Sequence, residues 1–186
     1  TLAYTDATAL PGVLYTYEVR AVGAGGEGAS STGNTGWRGL TAPTGVTASD
    51  GTSASSVTIS WTTSSAPSYT VFRGLSAASL AQIGTSTNNS YTDTTAVIGT
   101  LYTYAVKASG ETGTGDSDLS ATDTGWRTVA APASMVATDG TSTDAVTLEW
   151  AQVQGANTYK VRRSSGGGAP SLIASPSTNR YVDGSA

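Results

Sequence analysis

TGWRGLTAPTGVTASDGTSASSVTISW, residues 35–61, returns without a gap as TGWRTVAAPASMVATDGTSTDAVTLEW at residues 124–150. Trp37 and Trp126 lie 89 positions apart, and so do Trp61 and Trp150. A fixed period of this length in a 186-residue chain marks units of about 90 residues rather than one large domain. Each copy carries a Trp-Arg pair, an Asp-Gly-Thr turn, and an alternating apolar run that ends in tryptophan. Val57, Ile59 and Trp61 form one such run, and Val146, Leu148 and Trp150 the other. Alternate strand residues share a face, so each trio reads as the buried side of a strand.

Other repeated pieces lie around this stretch. Tyr15, Tyr17, Val19 and Ala21 alternate with more polar residues, and Tyr102, Tyr104, Val106 and Ala108 repeat them. Tyr69 and Val71 correspond to Tyr159 and Val161, and the tripeptide Tyr4-Thr5-Asp6 returns as Tyr91-Thr92-Asp93 and Tyr181-Val182-Asp183. Leu10-Pro11-Gly12 reads as a turn, and the glycine-rich residues 23–28 as a loop. Short alternating runs separated by Gly, Ser, Asn and Pro predict an all-β chain with no helix. The period divides it into the back part of a unit at residues 1–38, a complete unit at 39–127, and the front part of a third at 128–186.

Composition removes most chemistry. Cysteine and histidine are both absent, and with them the usual zinc ligands, the usual general base and any Ser-His or Cys-His pair. Nine basic and thirteen acidic residues give a net charge of −4 with no block of like charge, which argues against nucleic acid as a partner. Serine and threonine approach a third of the chain, so solubility rests on hydroxyl groups. No apolar run is long enough to cross a bilayer as a helix.

The set Trp61, Tyr69, Val71, Gly99, Tyr102, Tyr104, Val106 and Ala108 resembles the fibronectin type III domain. Pro11, Gly12, Tyr15, Tyr17, Val19 and Ala21 carry the same likeness in the first segment, and Trp150, Tyr159 and Val161 carry it in the third. The Asp-Gly-Thr turn and the TGWR tail are similar to tandem repeats of large bacterial secreted or surface proteins. The resemblance implies immunoglobulin-like sandwiches of seven strands in an extended array, with strands A, B and E facing C, C′, F and G. Residues 1–38 would then hold strands E to G, and 128–186 strands A to E. It implies no catalytic residue and no cofactor. Tyr15 and Tyr102 fall at the family's tyrosine corner, where a hydroxyl bonds to nearby backbone; Val97-Ile98 replaces Leu10-Pro11 at the second corner.

Trp61, Trp150, Tyr69, Tyr159, Tyr15 and Tyr102 are therefore expected in the core. Trp37 and Arg38, and Trp126 and Arg127, stand six and five residues before Pro43 and Pro132, leaving little slack. They are expected to form a stiff joint between units, with a cation–π contact among its parts. Competing site readings are weaker. The GAGGEG of residues 23–28 matches a dinucleotide pattern but has no helix after it. Asp50, Asp116, Asp118 and Asp139 supply too few oxygens for calcium. Asn88-Asn89-Ser90 is a formal glycosylation acceptor.

The expected function is a structural repeat segment of an extracellular or cell-surface fibre, stalk or filament. The competing class is an adhesion or carbohydrate-binding module of a larger secreted protein, for which Phe72 is the outward aromatic. Expected partners are neighbouring repeats of the same or identical chains, including a head-to-tail polymer, with an extracellular glycan or protein ligand in the competing class. Duplication of the strand at Tyr4-Thr5-Asp6 and Tyr181-Val182-Asp183 favours a continuous array over completion by another copy, since the two would compete for one place.

Overall fold

The computed structural model describes residues 2–185. The first segment holds β1 (Tyr15–Tyr17), β2 (Arg20–Gly23), β3 (Gly26–Ser30) and β4 (Asn34–Gly36). The middle segment holds β5 (Thr44–Ala48), β6 (Val57–Thr62), β7 (Ser68–Gly74), β8 (Ala81–Ser86), β9 (Ser90–Asp93), β10 (Tyr102–Ser109) and β11 (Asp123–Gly125). The third holds β12 (Met135–Ala137), β13 (Val146–Trp150), β14 (Val161–Arg163), β15 (Ser171–Ala174) and β16 (Arg180–Asp183). A 3₁₀ turn at Ala77–Ser79, closed by Ser76 and Ser79 bonding each other's backbone and side chain, departs from the helix-free expectation.

In the middle segment two antiparallel sheets face each other, one in the order β5-β6-β9 and the other β11-β10-β7-β8. The inward residues of β6 are Val57, Ile59 and Trp61, all buried, while Thr58 and Thr62 stay outside. They meet Tyr69 and Val71 from β7 and Tyr104, Val106 and Ala108 from β10. The Trp61 and Tyr69 rings lie 5.1 Å apart at 60°. Such tilted aromatic packing adds to area burial in a core that has no disulfide to help it.

The same pattern behaves differently in the first segment. β10 runs unbroken for eight residues because β7 and β11 pair with its two sides. Its counterpart at residues 15–21, expected as one strand, breaks into β1 and the start of β2, which pair with β4 and β3. Val19 is 73% exposed where Val106 is 0%. The glycine-rich residues expected as a loop are instead mostly strand, with Gly23 paired to Gly26 across a tight hairpin.

In the third segment β12, β13 and β16 form one sheet and β14 and β15 another. Trp150 and Tyr159 repeat the aromatic pair at 5.2 Å, but Tyr159 remains half-buried and outside any strand. A cleft of about 320 Å³ opens beside them.

Truncating Trp61→Ala should cost the middle sandwich about 3–5 kcal/mol, and Trp150→Ala less, since space beside it is already open. Hydrogen-exchange protection of the β6 and β13 amides reads the two losses separately.

Candidate functional site

The repeated tripeptides end in an aspartate that organises a chain corner. Asp93 accepts hydrogen bonds at Oδ1 from the Thr95 amide (2.8 Å), the Thr95 hydroxyl (2.7 Å) and the Ala96 amide (3.2 Å). Asp6 does the same for Thr8 and Ala9, and Asp183 binds the Ser185 amide and hydroxyl. A short carboxylate that bonds backbone two and three residues on fixes a turn. In the middle segment the other oxygen, Oδ2, accepts from Arg73 Nη1 at 2.6 Å and from the Tyr104 hydroxyl at 3.1 Å. Arg73 also lies 4.6 Å from the centroid of the Tyr102 ring, so the cation is held from two sides.

Asp93 is 1% exposed. Burial works to raise its pKa, but the bonds from Thr95 and the charge of Arg73 more than offset it and hold the carboxyl below the usual range. The Tyr104 hydroxyl is pushed well up by burial and by the Asp93 charge. In the third segment Arg163 Nη1 meets Asp183 Oδ2 at 2.7 Å, yet the Arg163 side chain is 41% exposed against 19% for Arg73.

Arg127 closes the corner that Asp93 begins. Its Nη1 donates to the Ala96 carbonyl at 2.7 Å, and its Nε and Nη2 donate to the Ala54 carbonyl at 2.9 and 2.6 Å. Its own carbonyl accepts from the Gly99 amide at 3.0 Å. Arg38 repeats the arrangement, with Nη1 on the Ala9 carbonyl at 2.8 Å and its carbonyl accepting from the Gly12 amide at 2.8 Å. Each arginine thus presents a corner glycine in a fixed position.

Those glycines touch the following segment. The Gly12 carbonyl accepts from the Glu111 amide at 2.8 Å and the Thr114 hydroxyl at 3.2 Å, while Glu111 Oε2 accepts from the Leu14 amide at 3.2 Å. Gly99 packs on Gly155, and a Cβ added at Gly99 would collide with the Gly155 carbonyl. Leu40 and Val129, themselves 89 positions apart, stand 3.0 Å from the Cβ positions of Gly12 and Gly99. Both glycines have positive φ, +71° and +73°, a conformation side chains disfavour.

Trp126, expected at the joint, packs on a turn of its own segment. Its amide donates to the Ser49 carbonyl at 3.2 Å, and its carbonyl accepts from Gly51 at 2.9 Å. A Cβ at Gly51 would come within 2.6 Å of the indole Nε1. The Asp-Gly-Thr turn of the same segment is therefore the seat for this ring. Trp37 is 49% exposed, with no such turn among residues 2–36 to receive it. The cation–π contact found among the described residues is Arg73 with Tyr102 rather than Arg127 with Trp126.

The other expected residues fall as follows. Trp61, Trp150 and Tyr69 are buried, and Tyr15, Tyr102 and Tyr159 half-buried. The Tyr15 hydroxyl accepts from the Leu10 amide at 3.2 Å, as a tyrosine corner does; no such bond is found for Tyr102 among the described residues, whose ring faces Arg73 instead. Phe72 is half-buried, and Asp50, Asp116, Asp118 and Asp139 lie exposed, Asp116 and Asp118 in the loop before β11 and the other two at separate turns. Sequence reasoning missed Asp93, Arg73 and the docking glycines. The aspartate left a signal in its threefold recurrence, always two residues before Thr or Ser. Glu111 left none, because it has no repeated counterpart.

The chain is similar to several solved structures. A Fn3-like protein from Clostridium thermocellum shares 30% identity over 46% of this chain and 90% of that one, with a TM-score of 0.41. Domains A168-A170 of titin share 22% identity over 53% and 37%, with a TM-score of 0.42. The chicken CNTN1 FN1-FN3 domains share 19% identity over 94% and 66%, with a TM-score of 0.36. No protein-family model and no curated protein matches the chain. Three strands facing four, in the observed order, make the fold a fibronectin type III-like β-sandwich.

Because the Asp93 carboxyl is depressed in the folded state, its stabilisation is present above the unfolded value near ~3.9 and lost as pH falls through the lower folded value. Asp93→Asn should flatten this acid-side loss and cost about 2–3 kcal/mol at neutral pH, below the range for fully buried pairs because Arg73 reaches solvent. Thermal unfolding between neutral pH and pH 2 checks both outcomes.

Proposed function

We propose that the chain is a non-catalytic structural segment of an extracellular or cell-surface fibre, stalk or filament, built from tandem fibronectin type III units, with the back part of one at 1–38, a complete one at 39–127 and the front part of a third at 128–186. The observation that carries this reading is the corner glycine. At both boundaries an arginine presents a positive-φ glycine, and that glycine packs on a loop of the following segment. A side chain at either position would separate the two backbones. Contacts of this kind, made by chain neighbours only, are how extended repeat proteins transmit stiffness along their length.

Trp37, Arg38, Trp126 and Arg127 act in this reading as the frame behind the joint. The arginines hold the corner from the inside, and the Trp126 ring locks the end of its own unit onto its Asp-Gly-Thr turn. The touching atoms belong to Gly12, Leu40, Glu111 and Thr114 at the first joint, and to Gly99, Val129 and Gly155 at the second. The hydroxyl-rich surface keeps such a rod soluble without a strong charge.

Gly12→Val with Gly99→Val should loosen both joints. Small-angle scattering is expected to show a broader distribution of shapes than the unsubstituted chain gives, while far-ultraviolet circular dichroism retains the strand signal. An unchanged scattering profile would count against stiff joints as the function.

A further inference from the structure

The turn between β8 and β9 carries Asn88-Asn89-Ser90, and all three residues are exposed. Asn88 is the asparagine of this chain that has a serine or threonine two positions on, with no proline between. The turn is held through its backbone. The Asn88 amide N–H donates to Ser86 Oγ at 3.1 Å, Ser86 Oγ donates to the Ser90 carbonyl at 2.8 Å, and the Asn89 carbonyl accepts from the Trp61 amide at 3.1 Å. Among the described residues, neither the Asn88 side-chain amide nor the Ser90 hydroxyl makes a hydrogen bond.

The matching turn of the third segment is built differently. Counting back from Tyr91 and Tyr181, Asn88, Asn89 and Ser90 correspond to Thr178, Asn179 and Arg180. There the Asn179 side-chain amide donates to the Trp150 carbonyl at 2.9 Å, and Arg180 meets Glu149 at 3.2 Å. Polar side chains at that turn are spent on the fold, whereas those of Asn88 and Ser90 are left to solvent.

We propose that Asn88 is the acceptor of an N-linked glycan. An exposed turn with asparagine followed two residues on by a hydroxyl is the form such acceptors take. The donor is an oligosaccharide carried on a lipid diphosphate. Asn88 Nδ2 bonds to the anomeric carbon of its first sugar as the bond from that carbon to the diphosphate oxygen breaks. The lipid diphosphate leaves with the electron pair, and the amide gives up one proton to a base of the transferase.

The surroundings supply an independent argument. On the sheet β5-β6-β9, Thr47, Thr58, Ser60, Thr62, Ser90 and Thr92 point away from the core, so the face next to Asn88 is made of hydroxyl groups. It carries no charge and no aromatic ring at these positions, and hydroxyls are suitable neighbours for sugar. The same face of β12-β13-β16 holds Val136, Glu149, Arg180 and Val182 instead. β9 is also an edge strand, and a bulky polar group at its entry guards that edge against pairing with another chain.

This goes beyond the mechanical reading and rests on its extracellular part, because such transfer takes place on the outward side of an export membrane. The test therefore forces export. The full chain is secreted from a eukaryotic cell line behind a cleaved leader, and its mass is measured before and after peptide N-glycosidase. A mass above 18.6 kDa by whole sugar units is expected, returning to the chain mass with the enzyme and absent in Asn88→Gln and Ser90→Ala. Ser90→Thr is expected to keep it. A secreted chain without added sugar, or one whose sugar persists in Asn88→Gln, would overturn the proposal. Since export is imposed, either result counts against the acceptor and leaves the location and the joints standing. Thermal unfolding adds a check on the folded state: the glycosylated chain is expected to melt no lower than the enzyme-treated one, and a lower midpoint would show that the turn does not accommodate a glycan.

Discussion

The architecture depends on enclosing one strand, the Tyr-x-Tyr-x-Val-x-Ala sequence of β10, between two strand neighbours and beneath the tryptophan strand β6. Its inward side chains touch Trp61, Ile59 and Val71, and its backbone is paired on both edges. A strand gains little from its own sequence; it gains from what it is packed against. The chain supplies its own control, because residues 15–21 repeat the pattern of β10 almost residue for residue. Without a neighbour on the second edge, they split into two short strands and leave their apolar face in solvent. In the third segment the tryptophan strand is likewise in place, with a cleft beside Trp150 and Tyr159.

Around that core, polar groups set the direction in which the chain leaves. Asp93 binds the turn on one oxygen and Arg73 with Tyr104 on the other, so a charge that would be costly to bury alone becomes the anchor of the corner. Arg127 then draws three stretches of backbone together, at Ala54, Ala96 and Gly99. The corner carbonyls of Ala54 and Ala96 are taken up by guanidinium N–H groups. The corner glycine, with no side chain, can approach the next segment to backbone contact.

Much of this was legible beforehand. The alternation of Val57, Ile59 and Trp61 fixes which face of β6 is buried, and the period of 89 places Leu40 and Val129, or Arg38 and Arg127, in matching surroundings. The places where reading failed share a cause. Residues 15–21 were expected as one strand because pattern says which face would be buried, not whether anything is there to bury it. Residues 23–28 were expected as a loop because composition says where a chain can turn, not what it then pairs with, whereas Gly23 pairs with Gly26 in a hairpin.

What the sequence by itself determined is the all-β class, the repeat, the inward faces and the absence of thiol or imidazole chemistry, since each depends on residue type and spacing along the chain. What only the tertiary structure decided is which atoms meet across a boundary: Gly12 with Glu111 and Thr114, Gly99 with Gly155, Arg73 with both Asp93 and Tyr102. These pairs are far apart in the chain, and most have no shared pattern to announce them. Their meeting follows from how two twisted sheets close, and that closure is a property of the packed strands together rather than of any one stretch.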